Sequence, residues 1–419
     1  MRKRGLGADF DRLWTAYAFS SAGSAVGSGA LPLVAVLLLD VSAFEVSLLA
    51  ALGGLASAML LLPIGARIDA RRKRPAMIVS DLVGFAALIS VPVAAALGVL
   101  TYWQLCVVGV LHTTATIAFT AASGAHLKAL LPPADRAEGN SRFESTRWLT
   151  LSLGPPAGGA LIGWLGATAT LVVDAVSFLL SAAWIRRVRR PEPAPEPTPE
   201  PVRGRRFTDL TAGWRYIFAR PDLRALFWNA MLFGGAVMLT SPLLVVFMLR
   251  ELALSPWQYG LSIGVPCLGA VLSARFAPAI IRRLTLRRTL IVFGALRAPW
   301  LLLLPLAPPG TGGLVVITIA ETGLLFIVGV FNPSFTTYRM EATDDTVMAR
   351  VATAWSMGSK VAQPLFMAAG GAIAAVTSTR VALAVAGVCC LASALLLPRR
   401  GGDVPQPEPV PADAGRMAA

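Results

Sequence analysis

The stretch Leu60-Leu-Leu-Pro-Ile-Gly65-Ala-Arg-Ile-Asp69-Ala-Arg-Arg-Lys-Arg74 turns within a few residues from a wholly apolar run into a dense basic cluster. Apolar residues continue upstream to about residue 44, which gives a run of roughly twenty residues. At about 1.5 Å per helical residue, that run crosses a hydrocarbon layer of about 30 Å. Working outward, runs of this kind recur near 14–39, 76–98, 102–126, 143–165 and 168–185, and again near 224–249, 257–281, 289–307, 314–338, 348–376 and 379–397. The spacing predicts an all-α integral membrane chain with twelve spans.

Composition agrees. Of 419 residues, 55% are hydrophobic and 14% charged, and the mean hydropathy is +0.66, too apolar for soluble domains. The net charge of +14 raises the question of nucleic acid, but the basic residues lie in short clusters between apolar runs and form no continuous groove, so nucleic acid is not an expected partner. Counted on alternate sides of the twelve runs, 31 of the 37 Lys and Arg fall on one side and only Arg250 and Arg380 on the other. By the positive-inside rule this expects both termini in the cytoplasm. The cysteines Cys106, Cys267, Cys389 and Cys390 all sit in apolar runs without a Cys-x-x-Cys spacing, so neither a metal site nor a disulfide framework is expected.

Pro191-Glu-Pro-Ala-Pro-Glu-Pro-Thr-Pro-Glu-Pro201 divides the chain, its alternating prolines favouring an extended polyproline II path. The expected units are a six-helix bundle at 1–187, a cytoplasmic Pro/Glu-rich and basic linker at 188–222, a second six-helix bundle at 223–398, and a disordered tail at 399–419. The halves resemble each other. A shift of 213 residues lays 43–48 over 256–261, and a similar offset brings Gly158-Gly159 onto Gly370-Gly371. Duplicated six-helix halves belong to secondary transporters with a substrate site at the junction.

Gly65-Ala-Arg-Ile-Asp69-Ala-Arg-Arg-Lys-Arg74 resembles the loop signature Gly-x-x-x-Asp-Arg-x-Gly-Arg-Arg of the major facilitator superfamily. Gly65, Asp69, Lys73 and Arg74 match, while Ala70 and Arg72 depart from it. The resemblance implies a cytoplasmic gate in which Asp69 meets the start of the eleventh helix, with Arg350 as a candidate cation; an anchor without a gate is the alternative. Gly154-Pro155-Pro-Ala-Gly158-Gly159 is similar to the core of the antiporter signature of exporters in that superfamily, although the upstream glycines of the longer motif are replaced by Ser141 and Thr150. Together with Ala129-Leu-Leu-Pro-Pro133, Asn140, Arg147 and Asp174-Ala-Val-Ser-Phe178, the chain looks like the enterobactin-exporter and macrolide-efflux branch. That resemblance implies a proton-driven exporter of a small amphipathic compound such as a drug, siderophore or secondary metabolite. It also implies a monomer in a bacterial inner membrane that uses no cofactor.

Charges inside spans cost about 2.5–3.5 kcal/mol each on insertion scales, so they are candidates for function. Glu321, Lys360 and Arg297 are deep by position. Asp81, Glu144, Arg147, Asp174 and Arg275 lie within about two turns of an end and read as interface anchors. If helices one, four, seven and ten line the cavity, as the resemblance implies, His112 and Glu321 face it, and a desolvated carboxylate there can exchange a proton. The alternative is that Glu321 is permanently paired with Lys360 or Arg297, and that His112 is a satisfied hydrogen-bonding residue. Ser20, Gly23, Ser24, Gly27 and Ser28 give the first helix a small, mildly polar face, which either packs within its half or lines the path. Asn229, Asn332 and Gln363 are further neutral polar groups able to hold a ligand. An importer of the same fold and a non-transporting membrane protein are the competing readings. An ATP-driven pump is disfavoured because no Gly-x-x-x-x-Gly-Lys-Ser/Thr loop is present, and no cluster suited to an enzyme is visible.

Overall fold

The computed structural model describes residues 6–69, 72–190, 192, 205–344 and 347–397. The first crossing is made by α1 (Ala8–Gly27) and α2 (Ala30–Leu38). It is followed by α3 (Ala43–Asp69), α4 (Lys73–Ala96), α5 (Tyr102–Leu130), α6 (Arg136–Leu165) and α7 (Ala167–Arg186). A shorter helix, α8 (Arg205–Ala219), leads into α9 (Pro221–Val246), α10 (Pro256–Gly264), α11 (Cys267–Leu284), α12 (Leu286–Leu296), α13 (Thr311–Glu341), α14 (Met348–Val376) and α15 (Thr379–Leu395). A 3-10 run at Trp300–Leu306 continues α12, and a π-helical turn at Phe247–Glu251 ends α9.

Among the described residues, nine helices or joined helix pairs are long and apolar enough to cross a membrane, and Pro256–Ser273 with Arg275–Leu284 forms a tenth, bent by 47°. The other two crossings fall short for local reasons. Thr379–Leu395 is brief, and α6 has its apolar stretch diluted by Gly154, Pro155, Pro156, Gly158 and Gly159. The breaks follow from sequence. Pro221 and Pro256 open their helices, where a missing N–H costs nothing. Ser255 and Gln258 form a capping box at α10. Thr101 accepts from the Gln104 N–H, and Ser378 from the Val381 N–H. Gly166, at φ 85°, turns the chain between α6 and α7 in the single residue that separates them.

Helices α1, α3, α4, α5, α6 and α7 pack among themselves, as do α9 and α11 to α15. Between the two sets the main contacts are α3 with α14 and α6 with α10. The second crossing of each set thus meets the fifth of the other, as a two-fold relation requires. These seams are lined by small residues, which let backbones approach where lipid offers no hydrophobic drive. A Cβ on Gly54 would lie 2.7 Å from Pro364 Cγ, and one on Gly159 would overlap the backbone of Gly260. At the end where α2 and α9 finish, Asp40 pairs with Arg250 across the two sets.

The segment 205–219, within the expected Pro/Glu-rich and basic linker, is the helix α8. Ile217 is fully buried in a cluster with Leu223, Leu226, Phe227, Val351, Ala354 and Trp355, and Gly213 sits against the carbonyl of Arg350. The signal available was the helical spacing of Trp214, Ile217 and Phe218, obscured by the surrounding arginines. The Pro/Glu repeat other than Glu192, and the tail from 398, lie outside the described residues.

Candidate functional site

A cavity of about 460 Å³ lies between the two sets of helices. Gly27 to Gly29 at the break between α1 and α2 border it, with Gly53 and Ser57 of α3, Gly109 and His112 of α5, Asp174 of α7, Ser241 and Pro242 of α9, and Tyr259 of α10. Most of the lining is apolar or small, and the strongest polar feature is the meeting of Asp174 and His112.

Asp174 is 1% exposed. Its Oδ2 lies 3.8 Å from His112 Nε2, and both Asp174 Oδ1 and His112 Nε2 lack a hydrogen-bond partner. The reading of Asp174 and Asp81 as interface anchors is corrected here. Asp81, 0% exposed, has both carboxylate oxygens unpartnered. Position near a helix end does not make an anchor when that face turns inward, and α4 and α7 pack on each other. The small face of α1 explains how the carboxylate is enclosed, because a Cβ on Gly27 would overlap the Asp174 carboxylate and one on Gly23 would overlap Ser177. The two alternatives for that face are both realised, since Gly27 and Ser28 also border the cavity. Glu144 and Arg147, by contrast, are exposed and paired with each other at 3.0 Å, and Arg275 is exposed, as expected of anchors.

Arg297 is deep but not in the cavity lining. It is 2% exposed and donates to Asn229 Oδ1 at 2.6 Å, while Asn229 Nδ2 donates to the Ser393 carbonyl. The guanidinium lies between the rings of Phe233 and Phe331, 3.7 and 3.8 Å from their centroids. A delocalised cation is tolerated in such a slot because ring faces carry negative charge. Two expected ligand-binding residues therefore bond to each other, while Arg297 Nε is left without a hydrogen-bond partner. Asn229→Leu is expected to destabilise the protein by about 3 kcal/mol by stranding the guanidinium, and Asn229→Leu with Arg297→Met to recover most of the loss. Thermal unfolding in detergent of the single and double variants measures both.

Glu321, half-buried on α13, has no hydrogen-bond or ion-pair partner among the described residues, so the expected alternative of a pair with Lys360 or Arg297 is not formed. It is not among the residues bordering the cavity, whereas His112 is. Lys360 on α14 reaches Ser57 Oγ at 3.5 Å. Gln363 is half-buried and Asn332 exposed.

Of the loop signature, α3 runs to Asp69, but the surroundings of Gly65 and the side chain of Asp69 lie outside the described residues. The backbone N–H groups of Lys73 and Arg74 donate to the Glu192 carboxylate, the second at 3.2 Å. The Arg74 guanidinium donates to the Arg186 carbonyl. A residue of the linker thus caps α4, a role that the sequence did not suggest. Arg350 is exposed at the start of α14. In α6, Gly154 and Gly158 rest on Ala25 and Val26 of α1, and Gly159 on Gly260 of α10. The antiporter-like core is therefore a packing joint between one helix of its own set and one of the other. Among the described residues no group of three or more His, Cys, Asp or Glu side chains is placed to hold a metal ion.

Comparison with known proteins supplies the frame. The sequence profile of the Major Facilitator Superfamily matches residues 13–354. No curated protein matches the chain. Among solved structures, the nucleoside transporter NupG aligns at 12% identity with a TM-score of 0.71, covering 93% of this chain and 98% of its own. A POT family transporter in complex with a thioalcohol-conjugated peptide aligns at 13% identity and 0.67, covering 92% and 94%. A bacterial metal transporter aligns at 15% identity and 0.65, covering 94% and 98%.

Proposed function

Because the chain belongs to the Major Facilitator Superfamily, we propose that it is a proton-coupled exporter that moves a small amphipathic organic compound outward by alternating access, in the manner of the siderophore and macrolide exporters it resembles. The observation that carries this reading is the buried Asp174, with one oxygen unpartnered, beside His112 on the wall of the cavity. A carboxylate enclosed in a low-dielectric site without a full counter-ion favours whatever neutralises it. A proton and a cationic or hydrogen-bonding substrate compete for the same group, and that competition is what exchange requires. The small-residue joints at Gly54 and Gly159 support rocking of the bundles 1–187 and 223–398 about the cavity.

The protein in this reading works as a monomer in a bacterial plasma membrane, with both termini cytoplasmic and the Asp40–Arg250 pair on the outer face. Asp69, Lys73, Arg74 and Arg350 act at the cytoplasmic mouth, and Glu321 and His112 remain candidates for proton transfer. The test uses inverted vesicles with an acidic lumen and a lumenal pH dye, challenged with a panel of amphipathic cations, anions and zwitterions. Antiport predicts alkalinisation of the lumen that depends on both the compound and the protein. Acidification beyond the imposed gradient, or compound accumulation without proton movement, would reject it.

A further inference from the structure

A second cavity, of about 370 Å³, lies at the seam of α3 and α14, bordered by Ala58, Ala352, Thr353, Ser356, Met357, Lys360 and Val361. Lys360 is the one charged residue among the described residues of that lining. Its ammonium has three protons to donate, and its sole hydrogen-bond contact among the described residues is Ser57 Oγ at 3.5 Å, too long to be strong. No described carboxylate pairs with it. Lys360 lies ten residues beyond Arg350, where the crossing begins, so it is about 15 Å along the helix. A stem of four methylenes does not carry the ammonium back over that distance to the interface. The α3–α14 contact continues on the far side through Pro364 against Gly54, which closes off the other direction. Ser57, the partner of Lys360, borders the central cavity that holds Asp174, and its neighbour Ala58 borders the second cavity, so the two spaces lie on either side of this point of α3.

An ammonium placed at such depth, facing a cavity and with no counter-ion among the described residues, is completed by an anion from outside the chain. We propose that Lys360 is an anion subsite that receives the carboxylate of an amphipathic substrate, whose body extends past Ser57 into the central cavity. A monoanion fits better than a phosphate, because a dianion calls for the forked donors of arginine or a set of backbone N–H groups, and the described lining offers one cation and the hydroxyl of Ser356, with Ser57 beside the ammonium. The inference rests on the transporter reading above and narrows its substrate to compounds that carry a carboxylate.

Thermal unfolding of the purified full-length protein in detergent, with 4-phenylbutyrate, 4-phenylbutyramide and 4-phenylbutylamine as probes, tests this. The carboxylate is expected to raise Tm in a dose-dependent way and the isosteric amide to do so at least about tenfold less potently. Lys360→Met should abolish the difference and Lys360→Arg retain it. Acylation of Lys360 by acetic anhydride in the wild-type protein, read by peptide mass spectrometry, should slow on addition of the carboxylate but not the amide, a readout that needs no variant. Equal protection by carboxylate and amide, undiminished protection of Lys360→Met, or no effect of the carboxylate at millimolar concentration would overturn the proposal. Gly124→Ala, outside both linings, should leave the carboxylate effect intact. Proton movement that fails in vesicles while carboxylate protection persists would then remove the coupling reading and leave the subsite standing.

Discussion

Asp174→Asn is expected to lower substrate-dependent proton movement by about 100-fold or more while leaving a folded and somewhat more stable protein. Asparagine has nearly the shape of aspartate, so the close fit of Gly27 against this side chain is kept. The change removes a negative charge that is 1% exposed and has one oxygen without a partner. His112 Nε2, at 3.8 Å, is too distant for a good hydrogen bond. Losing such a charge is expected to stabilise the fold by about 1–2 kcal/mol, because a desolvated and poorly paired ion opposes folding. A structural carboxylate would behave in the opposite way, with a lower Tm and intact proton movement. Asp174→Glu separates charge from shape. It keeps the proton site but pushes a methylene toward α1, and is expected to lose both stability and transport. Detergent unfolding and lumenal pH recordings on the same preparations distinguish these outcomes.

Gly159→Val is expected to abolish transport and to destabilise the protein by about 3 kcal/mol or more, as overpacking does where nothing can yield. A Cβ on Gly159 meets the backbone of Gly260, and a Cβ on Gly260 meets the backbone of Gly159. Neither partner has a side chain that could rotate away, so the helices α6 and α10 must separate. Gly260→Val should give the same phenotype, and the two substitutions together should cost less than their sum, since the first already opens the seam. Gly124→Ala is the control, because a Cβ there meets no atom within 4 Å, and a change within about 1 kcal/mol in the stabilising direction is expected from helix propensity. Equal Tm values for Gly159→Val and Gly124→Ala would show that this joint is not under packing constraint.

The reading of charges by depth succeeded in part, and the reason is geometric. Counting residues from the end of a span gives the axial position of a side chain, and on that measure Arg297 was placed deep, where it is 2% exposed. It says nothing of rotation about the helix axis. Asp81 and Asp174 lie near span ends yet face the α4–α7 and α1–α7 contacts, whereas Glu144 and Arg147, at similar depth, face outward and pair. Asn229 and Arg297 are 68 positions apart, so their hydrogen bond could not be read from either segment alone. The helix α8 is too short and too polar to register among runs that cross a membrane, although Phe207, Leu210, Trp214, Ile217 and Phe218 recur at helical spacing.

What the amino-acid order determined unaided is that this chain crosses a membrane repeatedly in two comparable halves. Span length, proline breaks and the placement of basic clusters are local properties that solvent and lipid read directly. Only the tertiary structure decided that α3 meets α14 and α6 meets α10, that Asp174 confronts His112, and that Lys360 is left facing a cavity. Those facts depend on how each helix is turned toward its neighbours, and that turn is set by the sum of many small contacts between residues remote in the chain.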